Sequence, residues 1–188
     1  MARGRLVVIS APSGAGKTTI AHAILRAHPT LRFSVSATTR PIRDGEKEGR
    51  DYFFLSNDEF RRRIDAGEFV EWEEIYGNYY GTLRQEVDRA LEQGQHILFD
   101  VDVKGGLSIR KQYPESLLVF IRPPSPEALD DRLRNRKTES ETSVSLRLAR
   151  VPLEMELGKA FDYQVINDDL EHAIAQVDSI VTGYLHAN

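Results

Sequence analysis

Residues 11–18 read Ala-Pro-Ser-Gly-Ala-Gly-Lys-Thr. They follow the short apolar run Leu6-Val7-Val8-Ile9 and precede a stretch with Ile20, Ala23, Ile24 and Ala27 at helical spacing. A buried strand, a turn of small residues and a helix form a phosphate-binding loop when they come in that order. Small residues let successive backbone N–H groups curl around a polyphosphate, and the helix N-terminus adds a positive end. Lys17 is then placed to reach the β- and γ-phosphates, and the Thr18 hydroxyl to ligate Mg²⁺. The general pattern opens with Gly; here Ala11 stands there. A strand covered on both faces belongs to a parallel sheet, so this one feature already points to an α/β fold.

The rest of the chain keeps that rhythm, with one interruption. Ile97-Leu98-Phe99, Leu117–Ile121 and Gln164-Val165-Ile166 are further buried-type strands. Between them the sequence predicts a helix over Leu83–Gln93 stopped by Gly94, and another near Pro126–Arg136 after the Pro123-Pro124 break. A polar gap spans Lys137–Thr142. A helical pattern follows to about Gly158 with Pro152 inside it, and an amphipathic helix over Asp168–Tyr184 closes the chain. Strands separated by helices indicate a parallel sheet. Residues 33–83 differ: β-like pieces (Phe33–Thr38, Asp51–Leu55, Phe69–Ile75) alternate with turn-rich links such as Gly77-Asn78, and Ser56-Asn57-Asp58-Glu59 reads as a capping box opening a helix through Ala66. This segment reads as an insert. No repeat or low-complexity stretch interrupts the pattern.

Composition removes several classes of function. There is no Cys, hence no disulfide framework, thiol nucleophile or thiolate metal site. No apolar run approaches a membrane helix of roughly 20 residues, and Leu6–Ile9 is far shorter than a signal-peptide core of about 7 to 15, so a cytoplasmic protein is expected. A net charge of −4 argues against a general nucleic-acid coat. The five His residues lack metal-ligand spacing, and Trp72 reads as packing. The cations are lopsided, with 19 Arg against 6 Lys. Arg is the better two-pronged partner for phosphates, although a general preference for Arg explains the excess equally well.

The second chemical signal is the strand end Asp100-Val101-Asp102. Carboxylates at the C-terminal end of a parallel strand lie at the mouth of the sheet, where ligands bind. Asp100 is the candidate for the Mg²⁺ shell with Thr18; a simple strand terminator is the other reading. An Asn-Lys-x-Asp base-reading motif, which a GTPase would carry, is absent.

Taken together, these pieces resemble the guanylate kinase family in its bacterial form. The resemblance spans nearly the whole chain. It rests on Ser10 to Thr18, Ser34-Val-Ser-Ala-Thr-Thr-Arg40, Gly45-Glu46 with Gly49 and Asp51-Tyr52-Phe53, and Gly67-x-Phe-x-Glu71-Trp72. Gly77-Asn-Tyr-Tyr-Gly-Thr82, Asp100-Val-Asp102, Arg132-Leu with Arg136, and Asp162-Tyr163 with Asn167-Asp168 complete it. It implies a P-loop NTPase parallel sheet flanked by helices, with a small α+β GMP-binding insert and a helical lid. The core would be 1–32, 84–122 and 156–188, the insert 33–83 and the lid region 123–155.

The resemblance also implies roles. Ser13, Gly14, Ala15, Gly16, Lys17, Thr18 and Thr19 would hold the ATP phosphates, with Asn167 and Asp168 near adenine. Ser36, Arg40, Arg43, Tyr52, Glu71, Tyr80, Thr82 and Asp102 fall on GMP-site positions. An ionised Glu71 is an acceptor-only fork suited to the two adjacent donors of guanine, and adenine would leave it unpaired. Arg40, Arg43, Tyr52 and Tyr80 would hold the GMP phosphate, with Ser36 and Thr82 on the opposite edge of the base. Lys17, Arg40, Arg43, Arg132, Arg136 and Arg147 would surround the transferring group and offset its charge. The implied activity is ATP- and Mg²⁺-dependent phosphorylation of GMP, and of dGMP on the same reading of the base site, to the diphosphate. The partners are ATP and GMP, with neither nucleic acid nor membrane; monomer and homo-oligomer both remain open.

The sequence departs from the family at four places. Pro41 is shifted one position, Lys104 stands where Gln is common, Lys137 stands where Gly is common, and Pro152 would kink its helix. A binding module that has lost catalysis is the rival reading; the intact Gly-Lys-Thr favours the enzyme.

Overall fold

A computed structural model describes residues 3–75, 77–134 and 141–187. Its elements are β1 (Leu6–Ser10), α1 (Lys17–Ala27), β2 (Leu31–Phe33), β3 (Ala37–Thr38), β4 (Phe53–Phe54), α2 (Asn57–Asp65), β5 (Phe69–Ile75) and β6 (Asn78–Leu83). They continue with α3 (Arg84–Glu92), β7 (His96–Asp100), α4 (Val103–Gln112), β8 (Leu117–Arg122), α5 (Pro126–Arg134), α6 (Glu141–Gly158), β9 (Tyr163–Ile166) and α7 (Leu170–His186). The main sheet is parallel throughout, in the order β2-β7-β1-β8-β9.

The apolar runs explain how that sheet is covered. Side chains alternate between the two faces of a strand. Val7, Ile9, Leu98, Val119 and Ile121 pack on one face with Ile20 and Ile24 of α1 and Val177 and Val181 of α7. Leu6, Val8, Phe99, Leu118 and Phe120 pack on the other with Val87 and Leu91 of α3 and Ile109 of α4. A strand with both faces buried has no polar alternation to show, which is why these segments read as continuous apolar runs. Among the described residues, no helix is long and apolar enough to cross a membrane.

A second sheet, β4-β3-β6-β5, is built from residues 37–83. Its own small core stacks Phe60 of α2 on Phe69 at 4.3 Å and on Tyr79 at 5.3 Å. Ser56 caps α2, its hydroxyl accepting from the Glu59 amide at 3.1 Å. The Glu59 carboxylate turns to Arg63 Nε at 2.7 Å, so the expected capping box carries only its first half.

The structure corrects three expectations about elements. Phe33–Thr38 is not one strand: β2 pairs with β7 in the main sheet, and the chain then crosses to start β3 in the second sheet. Asn78–Leu83 forms a strand that the sequence reading left as a turn-rich link running into a helix. Val103–Gln112, assigned no structure from the sequence, is α4, capped by Asp102 through the Gly105 amide at 2.7 Å. Helix α6 runs through Pro152, whose ring is exposed. The ring removes the donor that would have reached Leu148 O.

Candidate active site

Strand order brings the loop and the acidic strand end together. β1 lies between β7 and β8, and Ile9 is in register with Asp100. The C-terminal end of β7 therefore opens beside the turn that leads into α1. Gly16 forms the N-cap of α1 with φ at 96°, a left-handed conformation. A Cβ there would stand 2.4 Å from Asn167 Nδ2, so Gly16 also permits a close approach.

Asp100 draws the two chemical side chains of the loop together. Lys17 Nζ is 2.6 Å from Asp100 Oδ1 and donates to Val101 O at 2.9 Å. The Thr18 hydroxyl donates to Asp100 Oδ2 at 3.0 Å. On the far side of the loop, Arg147 of α6 donates to Ser13 Oγ at 2.7 Å. Asn167, 4 % exposed, donates to Ala15 O at 2.8 Å, and Arg132 donates to Asn167 O at 2.9 Å. The last strand and α5 are thus tied to the loop through one asparagine. Ser13, Gly14, Gly16, Lys17, Thr18 and Thr19 line a cavity of about 310 Å³, together with Glu73, Asp102, Arg147, Arg150 and Glu154. Ala15, by contrast, is fully buried.

A second cavity, of about 350 Å³, is lined by Glu71, Trp72, Glu73, Asp102, Lys104 and Gly105 among others. The β5–β6 hairpin shapes its edge. A register shift between Phe69 and Glu71 sets Glu71 directly opposite Thr82, and Thr82 Oγ1 donates to Glu71 Oε1 at 2.6 Å. Burial pushes the Glu71 carboxyl up to about 7, helped by the nearby Asp102 and Glu73 charges and opposed by the Thr82 hydrogen bond and Lys17. Glu73 and Asp102 line both cavities.

A third group lies on the second sheet. Glu46 accepts from both Arg40 terminal nitrogens, at 2.7 and 3.0 Å, and from the Arg43 amide at 2.8 Å. The Arg40 guanidinium holds the Glu46 carboxyl down at about 2. It also lies 5.2 Å from the centre of the Tyr52 ring, which meets Tyr80 edge-on at 6.3 Å. Arg40, Tyr52 and Tyr80 are thus gathered around one fixed cation. Ser36 sits at the crossing between the sheets, its carbonyl accepting from the Phe53 amide at 2.9 Å.

Other candidates stand apart. The Arg43 side chain is exposed, and it is the backbone that meets Glu46: the Arg43 amide donates to the carboxylate at 2.8 Å and its carbonyl accepts from the Glu46 amide at 3.1 Å. Asp168 is exposed and accepts from its neighbour Asp169 at 2.8 Å. Arg136 and Lys137 lie outside the described residues. Trp72, expected as packing, is 47 % exposed and touches Tyr79 only edge-on. The sequence reading missed Glu46, Glu73, Arg150 and Glu154 as site residues. A signal existed for two of them: Arg150 and Glu154 follow Arg147 at three- and seven-residue steps, along one helix face.

Comparison with known proteins places this geometry. The family model for guanylate kinase matches residues 3–184. A guanylate kinase from Chlorobium luteolum is 50 % identical over 183 residues, covering 97 % of this chain and 93 % of the relative. One from Symbiobacterium thermophilum is 49 % identical over 179 residues, covering 95 % and 85 %. The crystal structure of guanylate kinase from Anaplasma phagocytophilum superposes with a TM-score of 0.74 at 31 % identity, covering 100 % of this chain and 89 % of that one. Shikimate kinase from Bacteroides thetaiotaomicron, 14 % identical with a TM-score of 0.51, shares the fold alone. A loop that ties Lys17 and Thr18 to Asp100, beside a hairpin that pairs Glu71 with Thr82, therefore sits in a chain that belongs to the guanylate kinase family.

Proposed function

We propose that this chain transfers the γ-phosphoryl group of ATP to GMP, giving ADP and GDP. One observation carries the reading: the phosphate-loop cavity and the Glu71 cavity share Glu73 and Asp102. A donor in the first and an acceptor in the second would meet there.

The base site fits guanine. Glu71 offers two acceptor oxygens to the ring N–H and exocyclic amine, and Thr82 holds one of them at 2.6 Å and so fixes the fork. Deoxyguanosine monophosphate presents the same base edge and is a second substrate on this reading. The Arg40 cation, clamped by Glu46 and faced by Tyr52 and Tyr80, takes the GMP phosphate, with Arg43 joining from the exposed turn. Residues 33–83 form the GMP-binding insert. Residues 1–32, 84–122 and 156–188 are the core, and 123–155 the lid region that carries Arg132, Arg136 and Arg147.

The transfer itself is positioning and charge stabilisation. A GMP phosphate oxygen attacks the γ-phosphorus while the bond to the β–γ bridging oxygen breaks, and that oxygen leaves with ADP; no covalent enzyme intermediate forms. Lys17 exchanges its contact with Asp100 for the β- and γ-phosphate oxygens. The loop amides meet the remaining phosphate charge, and Arg132 and Arg147 close on the equatorial oxygens. Thr18 Oγ1 and Asp100 Oδ2, both hard oxygen donors 3.0 Å apart, fit the preference of Mg²⁺. They would hold the ion where it neutralises charge on the β- and γ-phosphates. The reaction belongs in the cytoplasm, where both nucleotides are.

The test is an ADP-release assay with ATP·Mg²⁺ and each of GMP, dGMP, AMP, CMP and UMP. Turnover with GMP and dGMP, and little with the others, is expected; no turnover with GMP would sink the reading.

A further inference from the structure

We propose that Arg150 is a further phosphate-binding residue, one that engages the γ-phosphoryl group of ATP as it passes to the acceptor; the inference rests on the phosphoryl-transfer reading above. Arg150 lines the phosphate-loop cavity with Ser13, Lys17 and Arg147. Its guanidinium lies between Asp102 Oδ2 at 3.6 Å and Glu154 Oε1 at 3.5 Å. Both distances are beyond ordinary hydrogen bonds. Asp102 belongs to both cavities, so Arg150 stands at the junction where donor and acceptor would meet.

The neighbouring cations are held differently. Lys17 is in close contact with Asp100 at 2.6 Å, and Arg147 donates to Ser13 Oγ at 2.7 Å. Among the described residues, Arg150 makes only its two long ion pairs, and its side chain is 59 % exposed. Long, wet ion pairs of this kind are worth little. Exchanging them for a two-pronged, charge-assisted contact to a phosphoryl group is favourable, because a guanidinium has five donors to place. Glu154 is the opposite case. Its side chain is 12 % exposed, it lines the loop cavity beside Ser13, and among the described residues its buried Oε2 has no hydrogen-bond partner. Glu154 therefore stays as the anchor of α6 on the loop, while Arg150, one turn earlier on the same face, is placed to move to the nucleotide.

The alternative is that Arg150 only offsets the carboxylates of Glu154 and its neighbours. A double-mutant cycle separates the two. Dissociation constants for ATP and ADP, and kcat with GMP, are measured for the wild type, R150Q, E154Q and R150Q/E154Q. We expect R150Q to weaken ATP and lower kcat roughly tenfold to a hundredfold, the worth of hydrogen bonds to a charged group. ADP affinity should change less than twofold, and the same ATP-specific loss should appear on the E154Q background. A loss below twofold, an equal loss for ADP, or a loss that vanishes beside E154Q each overturns the proposal. The two readings fail separately, because wild-type protein that bound ATP in this pattern yet did not phosphorylate GMP would sink the function and leave Arg150 standing.

Discussion

On the proposed function, Glu71 is the residue that trades stability for recognition most directly. The free protein holds its carboxyl at about 7, chiefly through burial. Guanine needs the ionised form, because a protonated carboxyl presents one donor and loses half of the acceptor fork. GMP affinity should therefore rise with pH up to about 7 and level off above it. The Glu71 contribution should make it about tenfold weaker at pH 6 than at the plateau, since one pH unit below a pKa leaves roughly a tenth of the group ionised. The sign for stability is the reverse. An unfolded Glu titrates near 4.5 and the folded one near 7, so between those values the folded state holds more protons, and stability falls as pH rises through that window. Glu71→Gln should flatten both curves. At pH 8 it should be more stable than the wild type by on the order of 2 kcal/mol, while its GMP affinity drops and keeps only the pH dependence of the GMP phosphate, whose second proton titrates at about pH 6. GMP titrations and melting curves at four pH values check this; an unchanged pH profile in the variant would remove Glu71 from the base site.

At the scale of elements, the β5–β6 hairpin decides where Glu71 points. The shift at Phe69/Glu71 puts Glu71 opposite Thr82, and Gly81 lets the strands close: a Cβ there would stand 2.7 Å from Glu71 O and 2.8 Å from Trp72 Cβ. Backbone cannot give way as a flexible side chain can, so Gly81→Ala should cost about 1–3 kcal/mol in stability. It should also raise the KM for GMP well above that for ATP, as the hairpin carries no phosphate-loop residue. Urea melts and a KM comparison test it, and an unaltered GMP KM would mean that Glu71 is not positioned by this hairpin. The same elements show what sequence could and could not reveal. β1, β7 and β8 were legible because burial on both faces leaves unbroken apolar runs. β6 was not, since Gly81 looks like a turn residue and is needed for a close approach. Helix α4 was hidden by Gly105-Gly106, a poor helix pair, yet a Cβ on Gly106 would stand 2.6 Å from Phe161 Cζ. The split of 33–38 between two sheets had no local signal at all, because both halves have strand-like composition. For the site, the individual residues were readable as a pattern, but their partners were not. That Glu46 clamps Arg40, or that Arg150 faces Asp102, depends on how distant elements pack.

For the whole molecule, a net charge of −4 looks hostile to two anionic substrates. Local placement resolves this. The shared rim carries the carboxylates Glu73 and Asp102, with Glu71 and Glu154 beside it, while Lys17, Arg147 and Arg150 are brought to the same space from α1 and two turns of α6. Net charge then acts on solubility and the long-range field, and the short-range cations govern binding. If the two cavities do meet across Asp102, one molecule should fill both. Adenosine and guanosine joined 5′ to 5′ by five phosphates carries both bases and the charge of the transferring group between them. Linking makes the second half's binding intramolecular, at an effective concentration in the millimolar range for a short linker. Its affinity should exceed that of ATP or GMP alone by roughly a hundredfold or more. By mass action, a hundredfold excess over the dissociation constant adds about 2.7 kcal/mol of stability, so the melting temperature should rise further than with ATP and GMP added separately at the same concentration. The gain should shrink with added salt, because the linker charge is the part that the exposed Arg150 side chain helps to hold. Calorimetric titration and thermal melts measure both. An affinity no better than that of GMP alone would place the two cavities out of line and leave direct transfer without its geometry.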